Sequence, residues 1–430
     1  MTIAVGKATR VVEQGSKAAR APALARAELL SKVARSRLED ELEKALERKP
    51  ASEAKLAGAL RALAPLSPHL RASMAEAAAV MLRRGSLGRE VYAACMRAVA
   101  EGGDAQTASL VRTALSHDEA GGAPALAAAA LCRDSSLAAL LGKVAASRQS
   151  HVAFGAETAR VVRLESNGAH LTSLAPMIKE SHRISLCVEL FVPLARAGVA
   201  PIAIAPALSV LRGAERHLGR WLVLADVASK AGDGAPLVEA KTKSSSGPSS
   251  SRGAWALVAW ALEESLARHR RQAPPPPPDV RPTVELVARL SDRPSSDRDL
   301  GFLFRIAAAN GAGARPMLDA VVKQAPLNDE TGVRAAMFLA RDHGRDDLRT
   351  AILQIATGAR RDELRGIATA ALWDVGARDE ARALADELLT SKNVGNVAWA
   401  SLVRAAALTG SSGDVASEMN YRWIQLGWLE

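Results

Sequence analysis

Residues 364–389 read Leu-Arg-Gly-Ile-Ala-Thr-Ala-Ala-Leu-Trp-Asp-Val-Gly-Ala-Arg-Asp-Glu-Ala-Arg-Ala-Leu-Ala-Asp-Glu-Leu-Leu. Leu364, Ile367, Ala368, Ala371, Leu372 and Val375 recur at the three- and four-residue spacing of one apolar helix face. Gly376 ends that helix, because glycine takes the positive φ required just past a helix C-terminus. Asp379 stands where a carboxylate favours the start of the next helix. Ala381, Leu384, Ala385 and Leu388 then form a second apolar stripe. The unit is a helix, a Gly/Asp turn, a second helix and a short loop.

The unit recurs along the chain. Its turns read Gly102-Gly103-Asp104, Arg133-Asp134-Ser135, Ser166-Asn167-Gly168, Gly198, Gly232-Asp233-Gly234, Gly311, Gly344-Arg345-Asp346, Gly376 and Gly410. From Gly103 through Asp134, Gly168 and Gly198 to Gly232 the gaps are 31, 34, 30 and 34 residues. From Gly311 through Gly344 and Gly376 to Gly410 they are 33, 32 and 34. This beat predicts about eleven helical pairs, at 55–84, 89–117, 123–150, 153–183, 185–213, 217–243, 253–292, 297–325, 330–361, 363–392 and 396–425. One pair cannot bury its own stripes; stacked pairs share a continuous core. The fold class expected is all-α, an α-solenoid, with a short N-terminal amphipathic helix. Composition agrees: aromatics are only 3% of the 430 residues, too few for an ordinary sandwich or barrel, and the small apolar residue is mostly Ala.

Four segments follow. Residues 1–54 hold a basic stretch and a capping helix over 25–49, with Leu30, Ala34, Leu38, Leu42 and Leu46 on one side and Arg35, Glu39, Glu43 and Glu47 on the other. A solenoid end needs such a cap; the same helix also suits pairing with a partner or a second copy. Residues 55–271 form a basic first half. Residues 272–280 form a proline-rich insertion around Pro274 to Pro278, a stiff spacer or a ligand for a proline-binding domain. Residues 281–430 form the second half, ending in an aromatic cap that carries Tyr421, Trp423 and Trp428. Those aromatics either seal the last pair or dock a partner. The Ser/Gly-rich stretch Lys241 to Gly253 reads as a flexible loop.

Net charge is +10, and it is uneven: residues 1–278 carry +12 and residues 279–430 carry −2. Arg112, Lys143, Arg148, Lys179, Arg183, Arg212, Arg216, Lys241, Arg360 and Lys392 fall towards the ends of second helices. Such residues cap helix C-termini, or else align as an anion-binding ridge. The candidate partner-binding residues are Arg148, Lys179, Arg183, Arg212, Arg216, Arg268, Arg270, Arg271, Trp423 and Trp428. Cys95, Cys132 and Cys187 are widely spaced and sit in apolar stretches, pointing to buried free thiols in a reducing, cytoplasmic compartment. The apolar run Ala197 to Leu211 is too short to span a bilayer.

No catalytic motif stands out. Among His69, His117, His151, His170, His182, His217, His269 and His343 the sequence shows no close pair, and no metal or cofactor is expected. Gly6-Lys7-Ala8-Thr9 lacks the remainder of a phosphate loop.

Val333-Arg334-Ala335-Ala336 with Gly344, and Leu364-Arg365 with Ala370-Ala371-Leu372 and Gly376, resemble HEAT repeats of the short bacterial kind found in phycobilin-lyase-like proteins. The resemblance extends over roughly residues 55–430. It implies a non-enzymatic scaffold that binds a protein partner. The alternative it leaves open is a nucleic-acid-binding or DNA-repair solenoid, similar to the glycosylases that remove alkylated bases with Trp, Asp and Arg side chains. Trp373, Asp374, Trp255, Trp260 and Arg252 supply those residue types.

Overall fold

The computed structural model describes residues 28–276, 315–410 and 415, apart from 49, 51–52, 88, 103–107, 118–121, 133, 192, 195–198, 200, 216–217, 231, 271, 274, 325–326 and 359–361. Among these residues the regular structure is entirely helical, as the apolar periodicity requires. The chain divides into two compact units. One unit holds Arg71–Ala240 with a short piece from Arg268; the other holds the described residues up to Leu70, Lys241–Ala267 and those from Gln272 onwards.

Helices α1 (Lys32–Glu47) and α2 (Glu53–Leu63) belong to the second unit, and α3 (Pro68–Arg83) leads into the first. The first unit continues as α4 (Glu90–Gly102), α5 (Ala108–Leu115), α6 (Gly122–Leu131), α7 (Leu137–Ala145), α8 (Ser150–Val162) and α9 (Leu171–Leu174). There follow α10 (Glu180–Leu186), a π-helical turn at Cys187–Phe191, α11 (Pro201–Gly213), α12 (Leu218–Lys230) and α13 (Ala235–Ser246). Helices two apart in sequence pack on each other: α4 on α6, α6 on α8 and α8 on α10. In the same way α5 lies on α7 and α9 on α11. The two sets differ in burial. Helix α6 buries every residue from Ala123 to Ala130, whereas α5 buries only Val111, Ala114 and Leu115, and α7 only Leu137 and Leu141. A helix that is apolar all round is an interior helix, and one with a single stripe is a covering helix.

The second unit repeats the arrangement. Its later helices are α14 (Ser249–His269), α15 (Arg315–Gln324), α16 (Glu330–His343), α17 (Asp346–Thr357), α18 (Asp362–Asp374), α19 (Arg378–Leu388) and α20 (Val394–Leu408). Helix α16 packs on α18, and α18 on α20. Helix α18 is buried along nearly its whole length, while α19 buries only Ala381, Ala385 and Leu388. The next interior place is taken by α2 from the N-terminal region, which packs on α20 and buries Leu56 to Leu60, Ala62 and Leu63. Helix α1 lies against both α2 and α20, its Leu38 and Leu42 buried, and Arg37 reaches the Lys392 carbonyl at 3.4 Å. The N-terminal helices therefore cover the last described pair rather than the first.

The turn chemistry follows the sequence. Gly376 has φ 88°, and the Ala377 amide donates to the Leu372 carbonyl at 2.9 Å, closing α18. The equivalent residue after α8 is Leu164, at φ 63°, with the Glu165 amide donating to the Arg160 carbonyl at 2.8 Å. No other described non-glycine residue has positive φ. One segment departs from expectation: Lys241 to Gly253 is helical on both sides of a break at Gly247-Pro248. Its serines bond back to the preceding turn, Ser244 to the Lys241 carbonyl at 2.7 Å and Ser246 to the Thr242 carbonyl at 2.8 Å, which keeps their hydroxyls from competing with the helix.

Interior helices approach closely where glycine allows. A Cβ on Gly366 of α18 would stand 2.8 Å from the Asn396 Cα and 3.0 Å from the Trp399 Cβ of α20. Asn396 also accepts from the Gly366 amide at 2.9 Å. Gly366→Ala is expected to destabilise the chain by about 1–3 kcal/mol through overpacking. Leu164→Gly is expected to stabilise it by about 1 kcal/mol by relieving the left-handed leucine, because Leu164 is 59% exposed and loses little burial. Urea denaturation midpoints check both. A loss of stability in Leu164→Gly would contradict the capping account.

Candidate functional site

The arginines near the repeat turns form the most regular polar feature. Arg112, near the end of α5, donates to Asp134 Oδ2 at 2.6 Å and Ser136 Oγ at 2.7 Å in the following turn. Hydrogen bonds from Ser136, and then the Arg112 charge, hold the Asp134 carboxyl below its ordinary range. Arg163, just past α8, turns back onto α6: it donates to the carbonyls of Ala129 (3.2 Å), Cys132 and Asp134 (2.9 Å), and pairs with Glu165 at 2.7 Å. Those carbonyls lie at or just past the end of α6, where intrahelical donors run out. Arg183 of α10 donates to the Ala214 carbonyl and stands 3.9 Å from Glu215. Arg212, at the end of α11, faces Asp233 at 3.9 Å and Glu239 at 3.6 Å and lies over the Trp221 ring at 5.6 Å.

The second unit uses the same device. Arg345 bridges Asp347 at 2.8 Å and Asp319 at 3.3 Å, and Arg365 bridges the Ala356 carbonyl at 3.0 Å and Glu387 at 2.6 Å. Here a buried charged group also lies among the interior helices. Arg334 of α16 is 3% exposed; burial pulls its guanidinium down to about 10, against the opposing charges of Glu330 and then Asp374, so it remains charged at neutral pH. Burial pushes the Glu330 carboxyl up, opposed first by Arg334 and then by Lys55 of α2.

The sequence candidates thus separate into two groups. Arg183 and Arg212 are turned inward, and Arg212 is only 4% exposed. Arg148, Lys179 and Arg270 are exposed. Arg216, Arg271, Trp423 and Trp428, and the side chain of Arg268, lie outside the described residues. Arg183 and Arg212 are engaged with carbonyls and carboxylates of the turns beside them.

Of the residue types named in the repair reading, Trp260, Trp373 and Asp374 are buried, Trp255 is half-buried and Arg252 is exposed. Trp373 is buried, with Arg378 and Arg382 over its ring at 5.2 and 5.7 Å. Asp374 accepts from the Val415 amide at 2.5 Å. Trp255 lies under Lys243 at 4.3 Å, Trp260 donates to the Pro275 carbonyl at 3.2 Å, and Arg252 donates to the Gly247 carbonyl at 2.7 Å.

One association was missed from sequence. His151 of α8 and His182 of α10 stack with ring centroids 3.8 Å apart and planes within 4°. The signal was present: Arg148-Gln149-Ser150-His151 and Lys179-Glu180-Ser181-His182 repeat a cation-x-Ser-His pattern 31 residues apart, one repeat period. Cys95 and Cys187 are buried and Cys132 is half-buried, all as free thiols. Among the described residues no group of three or more His, Cys, Asp or Glu side chains is placed to hold a metal ion, and no helix is long and apolar enough to cross a membrane.

Comparison with known proteins finds no protein family, no curated protein and no solved structure that matches this chain.

Replacing Arg212 with Ala is expected to cost about 2–3 kcal/mol, because it leaves Asp233 and Glu239 facing a vacated buried position. Replacing Arg148 or Lys179 is expected to change stability by less than about 0.5 kcal/mol. Chemical denaturation of the three variants checks the division; equal effects would remove it.

Proposed function

We propose that this chain is a non-enzymatic, cytoplasmic scaffold: a HEAT-like α-solenoid that binds a protein partner. The observation that carries the reading is the linkage of neighbouring pairs. Interior helices pack on the next but one, α4 on α6, α6 on α8, α8 on α10, α16 on α18 and α18 on α20, and Arg112, Arg163, Arg183 and Arg212 each tie a helix to a turn or terminus elsewhere in the first unit. Such nearest-neighbour construction makes an extended, repetitive surface rather than one deep catalytic pocket.

The burial pattern restricts where a partner would sit. The interior helices α6, α8, α18 and α20 have little surface left, so the partner surface falls to the covering helices and the loops that join the pairs. The exposed cations Arg148 and Lys179 lie in two such loops. They favour an acidic partner, but with Arg183 and Arg212 held inward they offer short patches rather than a continuous phosphate track.

Affinity capture of the tagged chain, with and without nuclease, tests the reading against nucleic-acid binding. A stoichiometric protein partner retained after nuclease is expected. Titration with a mixed-sequence DNA duplex is expected to give weak binding. Capture that collapses with nuclease, together with tight DNA binding that falls steeply with salt, would replace the scaffold reading by the nucleic-acid one.

A further inference from the structure

His151 and His182 lie in the first turns of α8 and α10, two helices of the first unit that pack on each other. Both rings are half-buried. Neutral imidazoles stack as flat aromatic faces. Two imidazoliums at 3.8 Å would place like charges at contact distance, where repulsion is strongest.

The surroundings supply little to offset a second proton. Helices α6 and α9, which pack on α8, carry no titratable side chain. Helix α7 contributes only Lys143, which is exposed, and α11 only Arg212, which is held by Asp233 and Glu239. On α8 itself Glu157 and Arg160 pair with each other at 2.9 Å. Helix α10 adds Arg183, engaged with the Ala214 carbonyl and near Glu215, while the side chain of Glu180 lies outside the described residues. The π-helical turn that continues α10 adds Cys187 and Glu189, both buried. Arg148 and Lys179, both exposed, precede the two helices.

We propose that the His151–His182 stack is a proton-operated joint between α8 and α10: two neutral rings hold the first turns together, and acidification separates them. The segment that would move is marked independently. Helix α10 runs directly into the π-helical turn, an uncommon form found mostly at functional sites. The electrostatics agree with the geometry: burial, and then the charge of His182, hold the His151 imidazole below its ordinary range. The sign follows. A histidine whose folded-state value is depressed stabilises the fold fully above its ordinary value of about 6.5, and that stabilisation is lost as pH falls below it.

The test uses the full chain. Histidine C2–H resonances are followed by NMR from about pH 8 to about pH 5, assigned with His151→Phe and His182→Phe. The His151 ring is expected to titrate below the ordinary histidine range and to move back towards it in His182→Phe. Hydrogen-exchange protection factors of the α10 amides are expected to fall roughly tenfold between pH 7.5 and pH 5. In the His151→Phe/His182→Phe variant, which keeps a stack without its charge, protection is expected to be the same at both pH values. A His151 titration in the ordinary histidine range that does not change in His182→Phe overturns the proposal, as does an equal loss of protection in the double variant. The wild-type titration decides the matter if the double variant fails to fold.

Discussion

An interior helix such as α6 has almost no face left for water, and the structure depends on that constraint. Its residues Ala123 to Ala130 are all buried. A helix of this composition gains little from any one side chain, since alanine contributes a single methyl group. What it gains is close approach to its neighbours, and many weak contacts at short range add up. The same condition explains the glycines within interior helices. Gly155 of α8 stands where a Cβ would meet the Leu126 side chain of α6 at 2.7 Å, and Gly366 of α18 stands where one would meet the α20 backbone. Small residues set the spacing, and the spacing sets the repeat.

Close packing of helix ends leaves a second problem, which the arginines meet. Each turn carries carbonyls whose helical donors have run out. A guanidinium can satisfy several of them at once in a fixed geometry, as Arg163 does with Ala129, Cys132 and Asp134. Lysine, with a compact charge on a flexible stem, suits this task less well. The excess of Arg over Lys thus has a structural use here, and part of the positive charge read as a ridge is internal to the fold. Among the exposed members, Arg148 and Lys179 precede interior helices, whereas Lys143 lies in the last turn of the covering helix α7.

Much of the helical layout was legible in the sequence. The apolar stripes from Leu364 to Leu388 mark α18 and α19, and Gly376 takes the backbone conformation expected of it. Leu30, Ala34, Leu38 and Leu42 likewise mark the buried side of the N-terminal helix region. What was not legible depended on distance in space. Nothing in residues 53–63 says that α2 packs on α20, because an alanine-rich face fits any similar neighbour. The helicity of Ser244 to Ser246 was obscured because serine has the same composition signal in a loop and in a helix that bonds back on itself. The His151–His182 contact was hidden for another reason: motif searches look for near neighbours, whereas a repeat brings together residues one period apart.

The placement of α2 bears on how the second unit is held. Interior contacts run from α16 to α18 to α20 and then to α2, and Lys55 of α2 acts on Glu330 of α16. Among the described residues, the N-terminal α2 thus continues the row that begins at α16. An array open at one end needs a polar cap to remain soluble. Here α2 from the N-terminal region packs on α20, and α1 lies against both with its own buried stripe. The consequence is topological: the interior of the second unit joins α2, early in the sequence, to α20, far along it. Its assembly thus rests on contacts of very long sequence separation, the slow class of folding event, even though each helix is local.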